Sequence, residues 1–423
     1  MIDLQLLQSK SGLKEVEDLI KEYKVLSVND RYKKIFQAKS EKTTVISTAV
    51  WLLSLREKAE DKFSQAASMF FNDLSLEQAS SEKVSDHIAK RFQSNWRVVD
   101  LTCGIGANAL ALAKRCQRVL LNDNNEDVLN FAKLNARTWG LENKVDFSLL
   151  NAEKLIDFLI AKDFSFIPKE YEKVEAIFLD PDRNRGQMTK TRSILNSSPN
   201  LQEILPKLFK ITKNVAVKIS PAFDYREIKL LDEEPEIEII SENNNCKVAI
   251  LWFGDFKKNR RSAACFRREE TCIFDGPGYP INELALYAPQ KYIYEVDKAI
   301  SKAGLVDDLA KACSLNKISV ASSFLSTEKS PEEMLEELDN KSILVALNVY
   351  ELVRVFNCSF KELKKELNEL NVERVEIKAK KHFLKPEEIY TKLKLKEGPD
   401  YTLLFLALKD NPKGVILMKR YIS

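Results

Sequence analysis

Asp100, Gly104 and Gly106 stand together in Asp-Leu-Thr-Cys-Gly-Ile-Gly, between an apolar run from Arg97 and a helical stretch from Ala107. Two glycines at such a place allow a tight turn and a close approach of backbone to ligand. The helix start behind them offers free amide donors. The glycines alone are ambiguous, because Gly104 to Ala109 also fits the G-x-G-x-x-A dinucleotide fingerprint. Asp100 bears on the choice: a carboxylate four residues before Gly104 repels a pyrophosphate and suits a ligand whose near end is cationic. Asp123, 19 residues beyond Gly104, ends a second apolar run and can accept both hydroxyls of a ribose. Dinucleotide enzymes share that feature. Asp180-Pro181 follows Ala-Ile-Phe-Leu, and strand ends of an open α/β sheet face one crevice, so Asp180 is expected beside Gly104. Asn151 and Ala152 follow another strand, where an adenine edge is usually held. Thr102, Cys103, Asn108 and Asn124 lie in or beside the same turns and complete the candidate cofactor contacts.

The elements that must position these groups change in texture along the chain. Residues 1–94 read as a helical region, with helices over 45–71 and 75–92 where Pro and Gly are absent. From residue 95 strands and helices alternate. Strands are expected over 97–101, 118–122, 144–149, 176–179 and 215–219. A hairpin over 236–240 and 247–253, joined by polar residues, is expected to close the sheet edge. That makes seven strands in a mostly parallel, doubly wound α/β sheet over 95–275. Gly276, Pro277, Gly278 and Pro280 read as a linker. A helix is expected over 294–310 and a strand over 317–321. The last stretch, 345–423, reads as a small α+β module.

Composition excludes several classes. The chain has 423 residues, 44% hydrophobic and 30% charged, enough for a sizeable core. No run of about 18 apolar residues predicts a membrane span. The start lacks a secretory pattern, and the seven cysteines form no C-x-x-C pair. No metal site and a cytoplasmic setting are therefore expected. The net charge is only +3, but two basic clusters stand out. One holds Lys257, Lys258, Arg260, Arg261, Arg267 and Arg268. The other holds Arg374, Lys378, Lys380, Lys381, Lys385, Lys392, Lys394 and Lys396. Each is either a phosphate-binding patch or a solvated face. The loop with Arg183, Asn184, Arg185, Lys190 and Arg192 is a further candidate for an anionic strand. His87 and His382 have no partner readable from sequence. The tyrosines and phenylalanines of the C-terminal half show no stacking pattern and are expected in the core.

With these residues in view, the chain resembles bacterial class I, Rossmann-like S-adenosylmethionine-dependent methyltransferases that carry a C-terminal THUMP-like domain. The resemblance runs through Met69-Phe70-Phe71, Asp100 to Gly106, Leu179-Asp180-Pro181-Asp182-Arg183 and Ser198-Pro199-Asn200-Leu201. It continues through Lys218-Ile-Ser-Pro-Ala-Phe-Asp224, Tyr292-Ile-Tyr-Glu295 and the stretch 384–396. Asp182 departs from it, since relatives often have Ala there. The resemblance implies S-adenosylmethionine as cofactor and a layout of 1–94 helical, 95–275 catalytic, 276–344 ferredoxin-like and 345–423 THUMP-like. THUMP domains occur in RNA-modifying enzymes, so it also implies tRNA or rRNA as partner. Oligomeric state is left open.

The acceptor atom is read from the strand end at Asp180. Enzymes that methylate exocyclic amines use Asp/Asn-Pro-Pro-aromatic there, with the acid holding the amine and the ring stacking the base. Here Asp180 and Pro181 are present and Arg183 replaces the ring. Arg183 can stack a base or grip a phosphate. Ribose 2′-O methylation uses lysines and acids, and Asp180 and Lys218 could fill two such places, with Glu242 a third. Lys218 could equally be a plain ion-pair partner of Asp180 or Asp224. Cytosine C5 chemistry needs a cysteine nucleophile that neither strand end supplies. A non-catalytic RNA-binding protein with a vestigial cofactor fold and an NAD-dependent oxidoreductase stand as alternatives.

Overall fold

The structure, a computed structural model, describes residues 3–183, 193–194, 197–277, 285–320, 322–338, 340–379 and 385–421. Asn184, Arg185, Lys190, Arg192, Gly278, Pro280, Ala321, Lys380, Lys381 and His382 lie outside the described residues, as do the side chains of Asp182 and Arg183. The chain forms two compact units, Met1–Pro235 with Ile250–Lys257, and Glu236–Ala249 with Lys258–Ser423.

Five parallel strands organise the first unit: β1 (Arg97–Asp100), β2 (Arg118–Asn122), β3 (Val145–Ser148), β4 (Ala176–Leu179) and β5 (Val215–Ile219). β4 and β5 are buried along their whole length. A strand covered on both faces needs a continuous apolar run, which is why these strands stand out in the sequence. Their order is β5-β4-β1-β2-β3. The chain runs outward from β1 through β3 and then crosses back to β4. That reversal leaves a crevice at the carboxyl ends of β1 and β4, where Asp100 and Asp180 stand.

The N-terminal helices pack onto the same unit. Helix Thr43–Ala59 contributes Ala49, Val50, Leu52 and Leu53 to a core that also holds Phe70, Phe71, Ile105, Phe131 and Leu134. This helix ends at Ala59, well short of the expected 71. The following segment is held by tertiary bonds that no local pattern announces. The carboxamide of Asn135 accepts the Phe70 N–H at 2.8 Å and donates to the Phe70 carbonyl at 3.0 Å. The Arg56 guanidinium donates to the Met69 carbonyl at 2.9 Å. The expected helix over 75–92 is two helices, Asp73–Gln78 and Glu82–Ala89. Ser81 starts the second by accepting the Val84 N–H.

The second unit begins with β6 (Glu236–Glu242), and β6 and β7 (Asn245–Trp252, whose last three residues belong to the first unit) form the expected hairpin. Asn243 and Asn244 both have positive φ, +49° and +62°, as a two-residue turn matching strand twist requires. The hairpin does not close the sheet. β8 (Arg261–Arg267) lies parallel to β6, and β9 (Glu270–Gly276) pairs antiparallel with β8. The sheet containing β1–β9 therefore has nine strands, against the seven expected. Basic residues at both ends of β8 disguised it as a surface patch. Two of them serve the fold, because Arg261 donates to the Ala303 carbonyl and Arg267 to the Leu347 carbonyl.

The rest of this unit is built on an eight-stranded sheet. Tyr292–Val296 is a strand there, not the start of the helix expected over 294–310; helices follow at Lys298–Ala303 and Val306–Ala312. Of the strand expected over 317–321, a two-residue strand Asn316–Lys317 is present. The 11-residue strand Leu347–Asn357 pairs with Tyr292–Val296 on one side and Gly414–Arg420 on the other. Lys378, from the second basic cluster, is three-quarters buried or more and donates to Glu295 Oε2 at 2.7 Å. It belongs to the packing of this sheet.

Candidate active site

β1 delivers Asp100 to the carboxyl end of the sheet, and the glycine loop follows at once. Gly104 and Gly106 have φ of +57° and +90°, values that favour glycine. Gly106 caps helix Ala107–Arg115. A Cβ on Gly104 would meet no atom within 4 Å, so the loop leaves open space on that side. Asp123 ties the loop to the end of β2: its Oδ2 accepts the Gly104 N–H at 3.0 Å and its Oδ1 accepts the Asn125 N–H at 2.9 Å.

Asp100 is 1% exposed. Its Oδ1 accepts the Thr102 N–H at 3.1 Å, while Oδ2 is buried with no hydrogen-bond partner. Burial, then the Asp180 and Asp123 charges, push its pKa up to about 8, against the Thr102 bond and Lys218. A buried carboxyl with an orphaned oxygen is costly unless a ligand completes it. The Cys103 thiol is buried, and burial first, then Asp100 and Asp123, push its pKa well up, away from the thiolate form.

Asp180 is bound to the glycine loop through its backbone. Its N–H donates to Thr102 Oγ1 at 2.9 Å, and the Thr102 hydroxyl donates to its carbonyl at 3.0 Å. Lys218 reaches it from β5, with Nζ 2.5 Å from Asp180 Oδ2. The register explains the meeting, because Leu179 faces Val217 across the parallel pair. The Lys218 side chain is 5% exposed and that of Asp180 31%. Lys218 thus pairs with Asp180, while Asp224 caps a short helix through the Arg226 N–H and holds the Arg226 guanidinium. Asp180 Oδ1 has no hydrogen-bond partner among the described residues. Pro181 is buried directly behind it.

The remaining candidates are distributed around this centre. Asn151 caps helix Ala152–Ala161 through the Glu153 N–H, with Ala152 buried beneath. Asn124 is exposed beside Asp123. Asn108 is buried and accepts a bond from the Ser85 hydroxyl at 3.1 Å. Arg183 lies in a two-residue strand pairing with Ser197–Ser198. Glu242, the possible third member of a hydroxyl-activating set, ends β6 in the second unit.

Two positioning residues escaped the sequence reading. Asn122 is fully buried, donates to the Leu101 and Leu150 carbonyls at 2.9 Å each and accepts the Leu150 N–H. It clamps the turns after β1 and β3 to the end of β2. Asn135, which holds Phe70, also donates to the Ile105 carbonyl at 3.1 Å and so supports the glycine loop from below. Asn122 had a signal: an amide ending the apolar run Val-Leu-Leu. Asn135 had none, since its partners are distant in sequence.

Known proteins resemble this chain in both of its halves. A family model described as a methyltransferase domain matches residues 92–262, and one described as THUMP domain-like matches residues 347–420. An uncharacterised S-adenosylmethionine-dependent methyltransferase of Mycobacterium tuberculosis is 27% identical over 307 residues, 69% of this chain and 78% of that protein. An uncharacterised RNA methyltransferase of Enterococcus faecalis is 24% identical over 158 residues, 37% of this chain and 31% of its own length. A Porphyromonas gingivalis W83 protein provisionally classed as a methyltransferase has a crystal structure covering 97% of this chain and 99% of that one, at TM-score 0.76 and 18% identity. That last likeness is one of fold.

Proposed function

We propose that this chain, an S-adenosylmethionine-dependent methyltransferase with a methyltransferase domain and a C-terminal THUMP-like domain, methylates RNA, with a base exocyclic amine as the favoured acceptor. The cofactor supplies a methyl group on a cationic sulfur, which becomes a neutral thioether as the acceptor attacks in line. The residues present fit that cofactor. The partnerless Asp100 Oδ2 suits its ammonium, the open side of Gly104 admits its body, and Asp123 suits its ribose. Asn124, Asn151 and Ala152 would border the adenine.

Asp180 carries the acceptor reading. Its backbone is tied to the glycine loop through Thr102, so it stands beside the cofactor cradle. Lys218 occupies Oδ2 and fixes the carboxylate, which leaves Oδ1 to accept one N–H of an amine. The amine lone pair then faces the methyl group, and positioning supplies most of the acceleration. When the new N–C bond forms, the nitrogen sheds its extra proton, and Oδ1 is placed to take it. A 2′-hydroxyl is the second reading, favoured by the lysine beside the carboxylate. RNA as acceptor is supported by the THUMP-like domain and by the name of the Enterococcus relative.

Incubating the protein with tritium-labelled S-adenosylmethionine and total RNA from a strain lacking the gene tests this reading. Label entering RNA is expected, and label entering no RNA fraction contradicts it. The cradle has its own test. Gly104→Ala is expected to fold, losing on the order of 1 kcal/mol to its left-handed backbone, while its new methyl group enters the cofactor space. Calorimetry should then find S-adenosylhomocysteine bound at least ~10-fold more weakly, about 1.4 kcal/mol; unchanged affinity would place the cofactor elsewhere.

A further inference from the structure

The tetrad at Asp180 lacks the aromatic residue on which a base commonly stacks. Two rings stand at the end of the neighbouring strand, β5, which runs beside β4 and brings Lys218 to Asp180. Beyond it Ser220, Pro221 and Ala222 turn the chain into Phe223, Asp224 and Tyr225. Phe223 is 2% exposed. Tyr225 is half-buried and rests against it, with ring centroids 4.5 Å apart and planes tilted by 54°. The corner carrying both rings is tied several ways. Ser220 accepts the Ala222 N–H through its hydroxyl and the Phe223 N–H through its carbonyl, each at 3.3 Å. Asp224 accepts the Arg226 N–H at 2.9 Å and starts the helix Tyr225–Ile228. Glu227 of that helix accepts the Ile194 N–H at 2.7 Å, joining the corner to the segment that follows the Asp180 strand end. A ring backed by a buried ring on a fixed corner loses little freedom when a planar ligand lies on it.

We infer that Tyr225, backed by Phe223, is the surface on which the acceptor base stacks, replacing the aromatic residue missing after Asp180-Pro181. The inference rests on the RNA-methylation reading and deepens it, because it makes the acceptor a flipped or unpaired base. Asp180 Oδ1 then holds one edge of that base while Tyr225 holds its face. Stacking requires a π-face and tolerates a change of ring, so the ring and not the hydroxyl is what the site uses.

The test compares Tyr225→Leu, Tyr225→Phe and Tyr225→Trp in the tritium assay, with total RNA from a strain lacking the gene as substrate. Tyr225→Leu keeps bulk and loses the π-face; Tyr225→Met replaces it if it fails to fold. Its KM for RNA is expected to rise roughly 10- to 100-fold. Its affinity for S-adenosylhomocysteine and its Tm should stay near those of the parent, with kcat changing much less than KM. The Phe and Trp variants should keep KM within a few-fold. A Leu variant with parental KM overturns the inference, and so does a Phe variant as impaired as Leu. If the parent itself labels no RNA, the RNA reading fails and this inference falls with it, a result distinct from a parent that labels RNA and a Leu variant that matches it.

Discussion

Replacing Asp180 with Ala lowers kcat for RNA methylation by roughly 10²- to 10⁴-fold, while S-adenosylhomocysteine still binds. In the proposed function Asp180 Oδ1 holds the acceptor while Lys218 occupies Oδ2, so turnover suffers first. The substitution also strands Lys218, whose side chain is 5% exposed. Removing one partner of a buried pair costs about 3–5 kcal/mol, and the partial exposure of Asp180 puts this pair toward the lower figure. Asp180→Ala with Lys218→Met removes both charges and should recover stability without recovering activity. Asp180→Asn separates the two acceptor readings. An amide oxygen still accepts an amine N–H, so amine methylation should survive in part. Activation of a hydroxyl needs the carboxylate, and there Asn should be as inactive as Ala. Steady-state kinetics with folding checked by thermal melts decides. A fully active Asp180→Ala enzyme would remove this residue from the mechanism.

With Asp100 facing the cofactor ammonium, as proposed, cofactor affinity should rise with pH between about 5 and 7.5. Burial above all pushes the Asp100 carboxyl up to about 8, so at neutral pH it carries a proton. The cofactor ammonium favours the ionised form, so binding expels that proton. Affinity then gains up to ~10-fold per pH unit until the free carboxyl is itself ionised. Near pH 8 the cofactor amine begins to lose its own charge, which ends the rise. The same shift acts on stability with opposite sign. The folded carboxyl holds a proton that the unfolded one has lost, so between about pH 4 and 8 the ligand-free protein loses stability as pH rises. Calorimetry in two buffers of different ionisation enthalpy should report close to one proton released per cofactor bound at pH 6.5. Asp100→Asn should bind more weakly, with no pH slope over this range. A parent that releases no proton would mean Asp100 does not face the cofactor cation.

The parallel strands were legible because burial on both faces forces runs such as Val-Leu-Leu and Ala-Ile-Phe-Leu, and their ends then locate Asp100, Asp123 and Asp180. The meeting of Asp180 with Lys218 was legible only as one of two options, since strand register decides it and register is not local. The misread elements share one cause. The stretch after Ala59 has good helical composition, yet Asn135 and Arg56 capture its backbone from elsewhere in the unit. β8 was hidden by its basic flanks, and Tyr292–Val296 by a following helical composition. In each, a long-range contact outweighed local propensity. Tyr225 was expected in the core with other aromatic residues, and only its partly buried place beyond the end of β5 sets it apart.

We propose above all that Asp180 serves methyl transfer to RNA. Mass spectrometry of nucleosides from tRNA and rRNA tests it most directly, in a strain lacking the gene and in the same strain carrying either the parent or Asp180→Ala. One methylated nucleoside should vanish on deletion, return with the parent and stay absent with Asp180→Ala. An unchanged set of methylated nucleosides on deletion, or full restoration by Asp180→Ala, would contradict the claim.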